Sequence, residues 1–147
     1  MKYSKATNYA LHTMLYFMVL PSDENIAVQE LADFQKLSPT YLSKILTKLV
    51  KAGLIGSTPG IKGGYRLLKD KAEVSFLDVI QAIEGTAGMF HCETNHAHKG
   101  CLIQKVMNDA EHQMAEYLQQ QKLFDLVSQI DSVHTLSRQA EKQSAPI

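Results

Sequence analysis

A chain of 147 residues with 45% hydrophobic content is long enough for one compact domain plus an oligomerisation element, and too apolar to remain disordered. Fifteen Lys and Arg against fifteen Asp and Glu give no net charge, which taken as an average argues against a nucleic-acid partner. The average conceals a polarised chain: residues 1–71 hold ten basic and five acidic side chains, residues 72–147 five and ten, and the stretch from Lys36 to Lys69 has no Asp or Glu at all.

Lys2 and Lys5 precede the apolar run Met14 to Leu20, but His12 and Thr13 interrupt the apolar region and Pro21-Ser22-Asp23-Glu24 offers no small-residue cleavage site. No export signal and no membrane-spanning run are expected. With two cysteines only, Cys92 and Cys101, the reading is a cytoplasmic protein not stapled by disulfides. Ala6, Tyr9, Ala10, Thr13, Met14, Phe17 and Met18 recur at helical steps, which predicts a first helix from Lys5 to Leu20 ended by Pro21. A short second helix is predicted from Val28 to Phe34, with Leu31 and Ala32 facing the core. The third is marked most clearly. Ser38 is its N-cap, Pro39 its first residue, Leu42, Ile45, Leu46, Leu49 and Val50 form one stripe, and Gly53 ends it.

Leu54 to Thr58 and Tyr65 to Leu68 flank a segment rich in Gly and Pro and predict a β-hairpin. Ser75 caps a fourth helix, Phe76 to Glu84, expected to bury Leu77, Val79, Ile80 and Ile83 and to close at Gly85. Gly88 to Gly100 has no apolar period and is expected to be a loop. From Cys101 to about Gln121, Leu102, Ile103, Val106, Met107, Ala110, Met114, Tyr117 and Leu118 form a stripe that requires a partner. Leu123 to Ile130 is read as a short last helix, followed by a polar tail. The chain thus divides into a winged-helix domain over 1–86, a cysteine and histidine loop over 87–100, a dimerisation helix with a short final helix over 101–136, and a frayed tail over 137–147.

Two short helices joined by a tight turn, then a glycine-rich hairpin, make a mainly α fold with a small β wing: a winged helix-turn-helix. In that arrangement the second helix of the pair enters the major groove of duplex DNA. Ser38, Thr40, Tyr41, Ser43 and Lys44 near its start are expected to approach bases or phosphates, with Thr47 and Lys48 further along and Lys48 holding phosphate. Lys62, Tyr65 and Arg66 would let the hairpin follow the backbone or the minor groove. Pattern alone leaves a second reading open, a winged helix that contacts only proteins and whose lysines are merely solvated. Nothing in the chain carries a nucleophile-base pair, a phosphate loop or Cys-x-x-Cys, so no enzymatic role is expected.

The order and spacing of several segments resemble the Rrf2 (BadM-type) winged-helix regulators. They are Tyr9-Ala10-Leu11, Leu31-Ala32, Ser38 through Leu46, Ala52-Gly53-Leu54-Ile55, Gly63-Gly64-Tyr65-Arg66-Leu67, Ser75 through Gly85, and Cys92 with Cys101. The resemblance spans about Tyr9 to Val127 and implies a homodimer in which the long helix crosses its twofold mate, setting two winged domains on a pseudo-palindromic operator.

The chain departs from that family at two places. Members that sense through an iron-sulfur cluster carry three cysteines in the loop and the start of the long helix. Here Cys92 and Cys101 match the first and last, and Thr94 to His98 replace the middle one. The loop residues Cys92, Cys101, His96 and His98 therefore leave three readings open: no cofactor or a plain thiol role, an iron-sulfur cluster, or another metal ion. In the wing, Pro59 stands where relatives that insert an arginine into the minor groove have it.

Overall fold

Ser4 opens the first helix, α1 (Lys5–Val19), by accepting the Thr7 N–H on its hydroxyl, and Pro21 follows the helix end by two residues. This computed structural model describes residues 2–21, 23–94 and 100–130. Along α1 the residues Ala10, Met14, Phe17 and Met18 are buried at three- and four-residue steps, the spacing that puts side chains on one face of a helix.

The next two helices form the helix-turn-helix. α2 (Val28–Gln35) ends at Lys36, whose φ of 57° places it in the left-handed region, and the Leu37 N–H then returns to the Ala32 carbonyl at 2.9 Å. That reversal leaves room for only Lys36, Leu37 and the cap residue Ser38 before α3 (Pro39–Lys51) begins. Ser38 caps α3 by accepting the Tyr41 N–H at 3.2 Å. Leu42, Ile45, Leu46 and Leu49 are buried as the stripe predicts, and Val50 is half-buried. Full burial of each such side chain stabilises the fold by about 1.5–3 kcal/mol over leaving it in water.

The wing is an antiparallel pair, β1 (Ile55–Thr58) and β2 (Gly64–Leu67), in register from Ile55 opposite Leu67 to Thr58 opposite Gly64. The first strand is one residue shorter at its start than the expected Leu54 to Thr58, and the second is displaced by one residue from the expected Tyr65 to Leu68. Leu68 N–H still bonds to Leu54 O in register at 3.0 Å, but the Leu54 N–H is taken by Leu49 O at the end of α3, so the ladder stops there. A third piece of chain joins the sheet. Ile26 and Tyr65 exchange both backbone bonds, at 2.7 and 2.8 Å, and so tie the wing to the segment before α2.

After a 3-10 turn over Lys71–Glu73, α4 (Phe76–Glu84) starts with a reciprocal cap: Asp78 N–H to the Ser75 hydroxyl, and Ser75 N–H to the Asp78 carboxylate, both at 3.0 Å. Val79, Ile80 and Ile83 are buried; Leu77, expected in the core, is only half-buried. It lines a groove of about 550 Å³ between α4, the N-terminal segment and α5 (Leu102–Gln120), where the packing is incomplete.

Beyond α5 the chain returns to the domain. Phe76 N–H bonds to Gln121 O at 2.9 Å and Leu123 N–H to Val74 O at 3.1 Å, and Leu123 is 1% exposed in the common core. The final segment, Leu123–Gln129, is a 3-10 helix where a short last helix was expected, and the expected tail lies outside the described residues. Buried residues from α1, α2, α3, the wing, α4 and Leu123 share one hydrophobic cluster, whereas α5 contributes no buried residue.

Candidate nucleic-acid interface

With the stripe of α3 spent on the core, its remaining faces point outward. Thr40, Tyr41, Lys44, Thr47, Lys48 and Lys51 are exposed. The ion pairs of the described residues are Lys69 with Asp78, Lys105 with Asp109 and His112 with Glu116, so none of Lys36, Lys44, Lys48, Lys51, Lys62 or Arg66 takes part in one. A row of unneutralised cations on one face is what counterion release from phosphate requires.

The expected contact residues are not equally free. Ser38 is occupied as the cap. Ser43 is half-buried and donates its hydroxyl to Pro39 O at 2.8 Å, and Thr47 donates to Ser43 O at 2.8 Å, so both serve their own helix. The Tyr41 ring meets the Tyr9 ring of α1 edge-on, with centroids 5.9 Å apart, leaving it 38% exposed. Thr40 and Lys44 keep their polar groups outside every hydrogen bond of the described residues, while Lys48 is close enough to the Glu84 carboxylate to help hold its pKa down.

On the wing, Lys62 and Arg66 are exposed. Tyr65 is half-buried, packed against the core, and its backbone N–H and C=O are both bonded to Ile26, which anchors the wing. Sequence reasoning missed Ile26, because a one-residue bridge has no period to detect.

The long helix carries two faces where one stripe was expected. Leu102, Ile103, Val106 and Tyr117 are 80, 65, 66 and 63% exposed, and Ala110 is also exposed. Met107, Met114 and Leu118 are half-buried, Met114 and Leu118 lining the groove against α4. Glu111 on that inner side holds the preceding loop, accepting the Met89 and Phe90 N–H groups, each at 2.8 Å.

Cys101 is the N-cap of α5, its sulfur accepting the Gln104 N–H at 3.4 Å. Gln104 also brackets the other thiol: its side chain accepts the Cys92 N–H at 2.6 Å and donates to Phe90 O at 3.0 Å. The Gln104 N–H foremost, then the Cys92 thiol and the Ile103 N–H, hold the Cys101 thiol below its ordinary value against the opposing effect of burial. The structure therefore brings Cys92 and Cys101 together as free thiols; His96 and His98 lie outside the described residues.

A capped recognition helix after a three-residue turn, a pinned wing and a row of unpaired cations define a winged helix-turn-helix DNA-binding transcription regulator. The family model described as Rrf2, iron-dependent transcriptional regulator, matches residues 3–129, and the chain belongs to that family. It is 27% identical to YwgB of Bacillus subtilis, provisionally named an HTH-type transcriptional regulator, over 94% of this chain and 92% of that one. It is 29% identical to the HTH-type transcriptional regulator NsrR of Shouchella clausii, over 92% and 95%. The solved structure of CymR, the global cysteine regulator of B. subtilis, superposes with a TM-score of 0.73 at 24% identity, covering 89% of this chain and 99% of that one.

The family description invokes iron. An iron-sulfur cluster takes about four protein ligands, and thiolates are the usual ones. Among the described residues Cys92 and Cys101 supply two, with no group of three or more His, Cys, Asp or Glu placed to bind a metal ion, and the further candidates His96 and His98 lie outside the described residues.

Proposed function

We propose that the chain acts in the cytoplasm, without catalytic activity, as a homodimeric, sequence-specific repressor whose DNA affinity is set at the Cys92 and Cys101 end of α5. The observation that carries the DNA reading is the division of α3: its apolar side is consumed by the core, and its other faces present Thr40, Lys44, Lys48 and Lys51 to solvent, with no ion pair to the three lysines among the described residues. Thr40 and Lys44 are the side chains free to reach base edges at the helix start. Lys48, Lys51, Lys62 and Arg66 hold phosphates on either side. Among the described residues no helix is long and apolar enough to cross a membrane.

The homodimer rests on the outer face of α5. Leu102, Val106, Ala110 and Tyr117 recur at intervals of about one or two helical turns, and that face has no partner among the described residues. Two such faces packed about a twofold axis would fix the separation of two α3 helices. Input at the thiols has a mechanical path to that geometry, because Cys101 caps α5 and Gln104, one turn in, ties the Cys92 segment to it.

The test is fluorescence anisotropy of the full chain with duplexes selected from a random pool, at a series of salt concentrations. The expected result is a sequence-dependent affinity whose logarithm falls linearly with the logarithm of salt, by about 0.9 per phosphate neutralised. Binding without salt or sequence dependence would favour a protein-contacting winged helix instead.

A further inference from the structure

Ile61 is the residue at the tip of the wing, and it is fully exposed, the most exposed of the large apolar side chains described. The turn that holds it closes with Gly63 N–H on Gly60 O at 3.0 Å, so Ile61 and Lys62 occupy its two central positions. Those positions ordinarily go to Gly, Asn, Asp, Pro or Ser, and a β-branched side chain gains neither packing nor ladder bonds there. A residue that breaks the local rule without a contact inside the fold points to a contact outside it.

The tip is held firmly. A Cβ on Gly63 would lie 2.0 Å from Thr58 O, so the loop closes on its own backbone there, and the double bond between Ile26 and Tyr65 fixes the wing to the domain. Little conformational freedom is left to lose on binding. The surroundings are cationic: Lys62 is adjacent, Arg66 lies on β2, and no acidic residue occurs from Lys36 to Lys69. An apolar side chain flanked by phosphate-binding cations has a matching surface in the minor groove, whose walls are deoxyribose carbons.

We propose that Ile61 enters the minor groove beside each recognition helix and there selects A·T over G·C pairs. This rests on the DNA-binding reading above. The selection follows from chemistry: guanine places its N2 amino donor on the groove floor, and an isoleucine side chain covers that donor without accepting its hydrogen bond, whereas an A·T pair shows no donor there.

The experiment uses the full chain and a selected duplex, measuring anisotropy for wild type, Ile61→Ala and Ile61→Arg. Wing-proximal A·T pairs are replaced by 2,6-diaminopurine·T, which adds only the minor-groove amino group, or by inosine·C, which lacks it. Wild type is expected to lose about tenfold in affinity on diaminopurine·T and to tolerate inosine·C better than G·C, and Ile61→Ala to bind about tenfold more weakly with an unchanged salt slope. Ile61→Ala should also lose the sensitivity to diaminopurine, while Ile61→Arg regains affinity with a steeper salt slope. Thermal melts matching wild type show that these exposed substitutions leave the fold intact. Ile61→Ala binding like wild type, or responding equally to diaminopurine, overturns the proposal while leaving the DNA reading standing; wild type binding no duplex overturns both.

Discussion

Lys44 and Lys48 lie four residues apart on α3, yet their surroundings differ. Lys44 is exposed with no carboxylate of the described residues in ion-pair reach, whereas Lys48 spends part of its field on Glu84. Lys44→Ala is therefore expected to weaken DNA binding by about tenfold and to lower the salt slope by about one, with Lys48→Ala giving the smaller loss. Equal losses, measured by anisotropy, would mean that Glu84 does not compete with DNA for Lys48. Glu84 itself is held below the ordinary 4.5 first by the Thr7 hydroxyl at 2.6 Å, then by the Ser4 N–H at 2.7 Å and the Ser4 hydroxyl at 2.8 Å. A carboxyl with a lowered folded-state pKa contributes stability that is fully present above its unfolded value and lost as pH falls through the folded one. Below pH 4.5 wild type should thus lose stability that Glu84→Gln has already lost, so the urea midpoints of the two converge on acidification. Parallel curves would contradict it. None of this was legible beforehand, because Glu84 and its partners are separated by 77 to 80 residues and leave no local pattern.

At the scale of elements, what could be read was what is encoded locally. Ser38 with Pro39 marks the start of α3, and Ser75 with Asp78 that of α4, through groups within three residues of each other. Contacts made by single residues at long range left no such trace. The third piece of the wing is one bridge at Ile26, and the packing of Tyr65 against the core that accompanies it is equally without a local pattern. Leu77 sits on the apolar side of α4, but its facing partner is the groove under α5, so periodicity predicted a burial that tertiary packing does not complete. The wing's attachment depends on Gly64, whose φ is 142° and where a Cβ would come within 2.5 Å of Ile26 O. Gly64→Ala should cost on the order of 1–3 kcal/mol by urea denaturation and loosen the wing. An unchanged midpoint with unchanged protection of the Ile26 amide against hydrogen exchange would contradict that attachment.

For the molecule as a whole, the decisive feature is α5, tied to the preceding loop by Gln104 in its first turn and Glu111 at its middle, and to the domain by the chain returning through Leu123. Its outer face carries the exposed apolar residues Leu102, Val106 and Tyr117, uncovered by any of the described residues. The sequence showed the full set of apolar positions but could not divide them, since at 3.6 residues per turn a wide stripe serves one broad contact or two adjacent ones equally well. In the structure Met114 and Leu118 line the groove against α4, while Leu102, Val106, Ala110 and Tyr117 are exposed, the face proposed to meet a second copy. Val106→Glu with Tyr117→Glu should yield a folded monomer by sedimentation, because both positions are exposed within the chain and only the contact between copies is charged. A dimer as stable as wild type would move the interface elsewhere.

The account stands on α3 entering DNA twice per dimer, and selection of preferred duplexes from a random pool by the full chain measures that directly. An inverted repeat is predicted, its half-site centres about one helical turn of DNA apart or more, as twofold symmetry demands. A single unrepeated motif, or a pool that does not enrich, would contradict it.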